Sequence, residues 1–142
     1  MREILFREKT HYGGWVYGSL INTGKFCCIL EPEDSDRYDY PYLDADLGVI
    51  DGEAIPIDFS TIGQYTGLND MNGKKIFEGD ILEFSDRLVV VFWHAHLGCW
   101  DSKFLKFTNK EKSRDDMSPL NWDYKSKIVG NIHDNPELFK GA

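Results

Sequence analysis

The segment STIGQYTGLNDMNGKKIFEGDILEF, residues 60–84, contains the densest run of backbone-defining residues in this 142-residue chain. Four glycines fall within it. Asn72-Gly73 predicts a tight hairpin turn, because Asn and Gly both tolerate the positive φ that such a turn needs. Gly79 predicts a bend, after which Asp80 begins the apolar strand Ile81–Phe84. The segment therefore predicts strands joined by tight turns.

Two short patterns inside the segment admit either a structural or a chemical interpretation. Gly63-Gln64-Tyr65-Thr66-Gly67 lacks the lysine of a phosphate-binding loop, so we interpret it as a tight turn with Tyr65 packed and Gln64 bonded to backbone. Glu78 and Asp80 are two residues apart and share a face if the chain is extended, which permits acid–base chemistry. A role in the turn and at the start of the next strand explains the same pair. No motif here specifies a catalytic residue.

Short alternating or apolar runs on both sides of this segment predict an all-β fold. Leu88–Trp93 is the most apolar run and predicts the most buried strand. Further strands are predicted at Glu3–Glu8, Trp15–Ile21, Lys25–Leu30, Val49–Ile50, Ala54–Phe59, Leu97–Trp100, Phe104–Phe107, Trp122–Tyr124 and Lys127–Ile132. Asn135 as N-cap and Pro136 at the first position predict a helical turn. The expected architecture is a small barrel or strongly bent antiparallel sheets of many short strands, with one short C-terminal helical turn.

The charge is unevenly distributed along the chain. The formal net charge is −8, and residues 31–58 carry ten acids and one base, so the rest of the chain is nearly neutral. We interpret this acidic window as a solvated loop; a docking surface for a basic partner, mimicry of nucleic acid and a cation site are the alternatives. We predict one domain over residues 1–142, with an acidic loop or insertion around 31–48 and a polar loop around 108–121.

Composition also indicates the compartment. The three cysteines, Cys27, Cys28 and Cys99, do not form the even set of a disulfide framework, so reduced thiols are expected. No run approaches the roughly 20 apolar residues of a membrane span, and the N-terminus carries acids and lacks the long apolar region of a signal peptide. We therefore expect a cytoplasmic protein without a membrane partner.

His94 and His96 are the best candidates for metal ligands. Residues two apart on a strand share a face, so both imidazoles can converge on one ion, with Cys99 or His133 completing a Zn²⁺ shell. The alternative is a strand that ends there with its histidines in solvent, and we expect neither a metal nor another cofactor. The corresponding functional hypothesis is a metal-dependent enzyme that uses His94, His96 and Cys99.

A nucleic-acid or nucleotide-binding β-barrel is the other alternative function. Tyr65, Trp93 and Trp100 would supply its stacking surfaces. The acidic net charge argues against this hypothesis, because a general nucleic-acid binder normally presents a basic face.

Four pieces of the chain follow one another in a specific order and spacing. They are Arg2–Arg7 with Trp15–Leu20, Ile62–Leu68, Asp70–Ile81 and Val129–Leu138. Together they resemble the YopX family of phage and prophage proteins, and the second and third pieces are the most specific as a linked pair. Phe77 stands where Tyr is common in the family, and His133-Asp134 where Tyr-Glu is common, which preserves residue character.

The resemblance implies a small β-rich cytoplasmic protein encoded by a temperate phage or prophage of low-GC Gram-positive bacteria. The family has no established enzymatic activity, and its recurring residues are mostly those that a fold requires. We therefore expect a non-enzymatic accessory protein of unknown biochemical activity. It would act by protein–protein contact with a host or phage protein, with a homo-oligomer as a further expectation.

Overall fold

The computed structural model describes residues 3–10, 13–22, 27–30, 42–44, 49–51, 57–108 and 118–140. The chain divides into two compact units, Met1–Gln64 and Tyr65–Ala142. Each unit is built from antiparallel strands and is described here separately.

The first unit contains a four-stranded antiparallel sheet and a separate hairpin. Its described strands are β1 (Phe6–Thr10), β2 (Trp15–Asn22), β3 (Cys27–Leu30), β4 (Tyr42–Asp44), β5 (Val49–Asp51) and the first part of β6 (Ile57–Asn69). The sheet has the order β3-β2-β1-β6, and β4 pairs with β5. The hairpin predicted from Glu3–Glu8 and Trp15–Ile21 is present as β1 and β2, with Phe6 opposite Gly18.

Strand β1 buries charged side chains. Arg7 is 6% exposed and Glu8 is fully buried, and the Arg7 guanidinium carbon lies 4.7 Å from the centroid of the Trp15 ring. The register between β1 and β6 shifts between Arg7 and Lys9, where the Lys9 amide donates to Thr61 Oγ1 at 2.8 Å. Burial raises the pKa of the Glu8 carboxyl to about 7, because the charged form loses its hydration.

The second unit contains the last part of β6 and a second four-stranded sheet. Its other strands are β7 (Lys75–Phe77), β8 (Asp80–Phe84), β9 (Arg87–His94), β10 (Cys99–Phe107) and β11 (Lys127–Asn131). Its helical elements are a 3₁₀ turn (Pro119–Asn121), α1 (Trp122–Lys125) and α2 (Pro136–Lys140). The sheet is antiparallel in the order β10-β9-β8-β11, and β7 pairs with β6.

Both faces of the second sheet are covered by apolar side chains. Alternation along β8 and β9 sends Leu82, Phe84, Val89 and Val91 to one face, where Ile76 and Trp122 join them. The opposite face carries Ile81, Leu88, Val90 and Leu105. Within the predicted run Leu88–Trp93, residues 88–91 are therefore buried on both sides as predicted, whereas Phe92 is half-buried and Trp93 is exposed. Each such side chain contributes about 1.5–3 kcal/mol through burial.

Two details of the predicted strands are wrong. Leu97–Trp100 and Phe104–Phe107 are not separate strands, because a turn at residues 95–98 leads into the single strand β10. Trp122–Tyr124 is not a strand but α1, in which Trp122 is fully buried while Tyr124 is 58% exposed. The helical turn allows the Trp122 side chain to enter the core from an otherwise polar segment. The Ser126 hydroxyl caps the end of α1 by donating to the Trp122 carbonyl at 2.6 Å.

The all-β prediction is confirmed. Of the two expected architectures, the described strands form open antiparallel sheets, and none of these sheets closes into a barrel. A helical turn at residues 136–140 is present as predicted, and the 3₁₀ turn and α1 are additional. Of the predicted acidic loop around 31–48 only residues 42–44 are described, and they form strand β4 instead of a loop. Of the predicted polar loop around 108–121 only residues 108 and 118–121 are described, and 119–121 form the 3₁₀ turn. The single-domain assignment stays a prediction.

Candidate functional site

The turn after β6 is organised by the carboxylate of Asp70. This side chain is 2% exposed, and its Oδ1 accepts the amides of Asn72 and Lys74, each at 2.9 Å. Its Oδ2 accepts the Ile128 amide at 3.0 Å. Gly73, at φ +79°, donates its amide to the Asp70 carbonyl, which closes the turn predicted at Asn72-Gly73. One buried acid therefore joins the turn to the start of β11.

Residues 63–67 do not form the tight turn that the sequence predicted. They lie within β6, with Gly63 opposite Arg7 and Gln64 opposite Phe6 in the first unit. The distortion is a register shift between Tyr65 and Asn69, where Gly67 has φ +85°. A bulge of this kind places an extra residue in a strand without ending it.

Tyr65 is packed, as predicted, and is therefore not a stacking surface. It is 6% exposed, its ring centroid lies 5.6 Å from that of Phe77, and its hydroxyl donates to Asn69 Oδ1 at 2.5 Å. The Thr66 hydroxyl accepts the Leu68 amide at 3.1 Å and donates to the Ile76 carbonyl at 2.8 Å. Side chains thus satisfy the backbone groups that the bulge leaves without a strand partner.

The bend before β8 uses Gly79 and Asp80 as backbone partners. Gly79 has φ +88°; its amide donates to the Val91 carbonyl at 2.9 Å and its carbonyl accepts the Ile132 amide at 3.0 Å. Asp80 is 2% exposed and accepts the Phe77 amide on Oδ2 at 2.8 Å, whereas Glu78 is half-buried. The Asp80 carboxylate therefore binds backbone at the start of the strand.

The C-terminal motif is held by two asparagines and a glycine. Asn131 Oδ1 accepts the amides of His133 and Asp134 at 3.0 and 2.9 Å, and Asn135 Oδ1 accepts the Asn131 amide at 3.2 Å. A Cβ on Gly130 would lie 2.4 Å from Asn135 Oδ1, so only glycine fits there. Helix α2 begins at Pro136 as predicted, but the Asn135 oxygen bonds back to β11 and not to an amide of the helix.

The candidate metal ligands lie at the β9–β10 turn. The rings of His94 and His96 are 6.3 Å apart, and Cys99 is exposed opposite His94 in the ladder. His94 Nδ1 accepts the Leu97 amide at 3.2 Å, while His133 lies near Gly79. Within the described parts of the chain, no three His, Cys, Asp or Glu side chains form a group that could hold a metal ion.

Four aromatic side chains form a partly exposed band on β9 and β10, which we call the aromatic surface: Trp93, Trp100, Phe104 and Phe107. Trp93 lies opposite Trp100, with ring centroids 5.1 Å apart in an edge-to-face arrangement. Trp100 and Phe104 are four residues apart and so share a side of β10. A register shift between Phe104 and Lys106 keeps Phe107 on that side, with the two Phe rings 4.8 Å apart.

The aromatic surface is largely accessible. Trp93 is 46% exposed, Phe104 43% and Phe107 42%, while Trp100 is half-buried. The Arg87 guanidinium lies 5.6 Å from the Phe107 ring centroid and is held by the buried carboxylate of Asp86 through bonds of 2.7 and 3.0 Å. The band is thus carried by two paired strands, and the Asp86–Arg87 pair adjoins it at Phe107.

Comparison with known proteins identifies the family. A family model described as YopX protein matches residues 21–140. The chain belongs to the YopX family. Three of the four sequence pieces that carried the resemblance lie within the matched residues, whereas Arg2–Arg7 with Trp15–Leu20 lies before them.

One solved structure supports the fold of this YopX-family chain. The crystal structure of protein EF1440 from Enterococcus faecalis is similar over 98% of this chain and 99% of that chain, with a TM-score of 0.52 and 22% sequence identity. At this identity the likeness concerns the fold alone. The search of curated proteins finds no match. In the part of the chain that the structure describes, no helix is long and apolar enough to cross a membrane.

Sequence reasoning missed three residues that shape these motifs: Asp70, Gly130 and Asn131. Asp70 had a readable signal, because an Asp two residues before an Asn-Gly turn can accept the amide of that Asn. Gly130 had none, since its requirement comes from the side chain of Asn135, five residues further along the chain. The motif residues that were predicted, from Gly63 to Pro136, lie in strand β6 and in several separate turns.

Proposed function

We propose that this protein is a non-enzymatic phage or prophage accessory protein that acts in the cytoplasm by protein–protein contact through the aromatic surface. The observation that carries the proposal is the exposure of Trp93, Phe104 and Phe107 on one side of the hairpin formed by β9 and β10. Tryptophan and other aromatic residues are enriched among the side chains that dominate binding energy in protein interfaces.

The size of the aromatic surface favours a docking role over incidental exposure. An aromatic side chain buries roughly 150–250 Å² when it is covered. The exposed fractions of the four side chains therefore amount to roughly 300 Å², which is in the range of the largest apolar patches on monomeric proteins, and such patches are often functional. Covering this band would desolvate both ring pairs together.

The buried carboxylates support a non-enzymatic role. Asp70 and Asp80 accept backbone amides, and Asp86 holds Arg87. In each of these acids, at least one carboxylate oxygen accepts a hydrogen bond that organises a turn or the start of a strand. The family to which the chain belongs supports the proposed prophage origin, and the proposed partner is a host or phage protein or a second copy of this chain.

The experiment is a tagged pull-down from the bacterial host with identification by mass spectrometry. The wild type should retain one protein at stoichiometric level, and Trp93→Ser combined with Phe104→Ser should lose it. The matched control is Ile4→Ser combined with Tyr17→Ser, which removes exposed apolar side chains from the first unit. If both variants retain the same amount of the partner protein, the proposal is contradicted. Light scattering of the purified wild type would reveal a homo-oligomer.

Nucleic-acid binding is the second candidate, favoured by the exposed ring of Trp93 on β9, which could stack on a base. The acidic net charge opposes it. Titration with single-stranded DNA or RNA at low salt should leave tryptophan fluorescence unchanged if protein contact is the function.

The metal-dependent alternative is tested by elemental analysis of protein purified without added metal.

A further inference from the structure

We propose that a second surface of this protein, distinct from the aromatic surface, binds an acidic segment of a protein partner. We call it the lysine patch; it consists of Met71, Lys74, Lys75, Tyr124, Lys125 and Lys127. The patch is formed by two segments distant in sequence, the turn after β6 and the junction of α1 with β11.

Hydrogen bonds fix these two segments side by side. The Met71 amide donates to the Ser126 carbonyl at 2.9 Å, and Asp70 Oδ2 accepts the Ile128 amide at 3.0 Å. Residues 71–75 therefore lie against residues 126–128. These hydrogen bonds hold the backbone of both lysine-bearing segments in place.

The lysines point outward. Lys127 begins β11 directly after the fully buried Ser126 and is exposed, and Lys125 at the end of α1 is half-buried. Lys74 and Lys75 are both exposed. The Lys75 and Lys125 ammonium groups lie 5.5 and 5.9 Å from the ring centroids of Tyr65 and Tyr124, which restricts their side chains.

The patch is positive in an acidic protein. Two exposed acids lie beside the patch. Asp123 is two residues before Lys125 in the chain, and Glu83 on β8 is paired with Lys127 on β11. With the buried Asp70 carboxylate, which binds the Lys74 amide, three acids against four lysines leave a net charge of +1 among these residues. Neither Lys74 nor Lys127 forms an ion pair with any described residue. Such a surface attracts an anionic partner.

Apolar side chains within and beside the patch indicate that this partner is a protein. Met71 is 55% exposed and Tyr124 58%, and Leu120, four residues before Tyr124, is 85% exposed. Aliphatic side chains such as Met and Leu contribute no stacking to nucleobases, whereas they pack well against apolar side chains of a peptide. The patch also lacks arginine, whose planar guanidinium suits phosphate. A segment with Asp or Glu around an apolar residue fits these features.

The test is fluorescence anisotropy with a labelled peptide of Glu-Glu-Leu repeats, and with a Lys-Lys-Leu peptide and oligothymidylate as comparison probes. The wild type should bind the acidic peptide, and Lys74→Glu with Lys127→Glu should weaken binding about tenfold or more. The matched control, Lys103→Glu with Lys106→Glu, makes the same charge change on β10 and should leave binding within about twofold. Circular dichroism checks that each variant is folded. If the variant with Lys74→Glu and Lys127→Glu is not folded, the variant with Lys74→Gln and Lys127→Gln replaces it.

Three results would overturn the inference: no binding of the acidic peptide to the wild type, equal weakening by both charge variants, or tighter binding of oligothymidylate to the patch. The outcome is separable from the proposed function. The variant with Trp93→Ser and Phe104→Ser should no longer bind the cellular partner but should still bind the acidic peptide. The variant with Lys74→Glu and Lys127→Glu should still bind the cellular partner but should bind the acidic peptide more weakly, if the two surfaces act independently.

Discussion

Asp70 joins three backbone amides with one buried carboxylate. We expect Asp70→Ala to destabilise the fold by about 2–4 kcal/mol, because it leaves buried amides without acceptors. Asp70→Asn keeps one acceptor oxygen and should cost less. Urea unfolding measures both changes; a midpoint of the alanine variant equal to that of the wild type would show that this carboxylate does not organise the turn.

Gly130 and Asn135 form a pair that a double-mutant cycle can isolate. Gly130→Ala places a Cβ 2.4 Å from Asn135 Oδ1, so we expect a loss of about 1–3 kcal/mol. Asn135→Ala removes the obstructing atoms along with the bond to the Asn131 amide. The double variant should therefore be more stable than the sum of the two single losses predicts. Simple additivity, measured by thermal unfolding, would contradict the close approach.

Glu8 gives the stability a defined pH dependence. Its pKa is raised from 4.5 to about 7 by burial, so the folded state binds this proton more tightly than the unfolded state does. The protonated Glu8 carboxyl group contributes fully to the stability of the fold below pH 4.5, and this contribution is lost as the pH rises to about 7. The melting temperature should fall across this window, and Glu8→Gln should flatten the fall. An unchanged slope in the variant would refute the assignment.

At the scale of elements, Trp122 shows how a helical turn completes the sheet. This residue is fully buried among Leu82, Phe84 and Val91, although its neighbours are polar. Trp122→Ala should cost about 3–5 kcal/mol, since a large cavity remains on that face. Tyr124→Ala, an exposed change in the same helix, should lie within about 0.5 kcal/mol of the wild type. Equal losses in chemical denaturation would contradict the packing.

The features that could be predicted from the sequence are those whose signal spans only a few neighbouring residues. The run 88–91 and the turn at Asn72-Gly73 were predictable, because hydrophobicity and turn propensity act over a few residues. The bulge in β6 was predicted as a turn, since Gly67 alone does not reveal that Thr66 and Tyr65 hold the strand together. Trp122 was assigned to a strand because its partners on β8 and β9 are distant in sequence.

The candidate surfaces were even less accessible to sequence reasoning. Trp93 and Trp100 were recognised as aromatic residues, but their position opposite one another follows from the register of β9 and β10. The lysine patch depends on the hydrogen bonds of Asp70 and Met71 to residues more than fifty positions later in the chain. Long-range pairings of this kind leave no signal in composition or periodicity.

At the scale of the molecule, the second unit holds the aromatic surface and the lysine patch, while the acidic window of residues 31–58 belongs to the first unit. The net charge of −8 therefore describes the chain as a whole and not each surface. A surface of the second unit can therefore carry a local charge whose sign differs from that of the whole chain.

The most direct test of protein contact through the aromatic surface is site-specific photo-crosslinking in the bacterial host. A benzophenone amino acid would replace Phe104 or Phe107, and Tyr17, which is similarly exposed in the first unit, would serve as control. The account predicts one dominant protein adduct from either phenylalanine position and none from position 17. No adduct from positions 104 and 107, or the same adducts from all three positions, would contradict it.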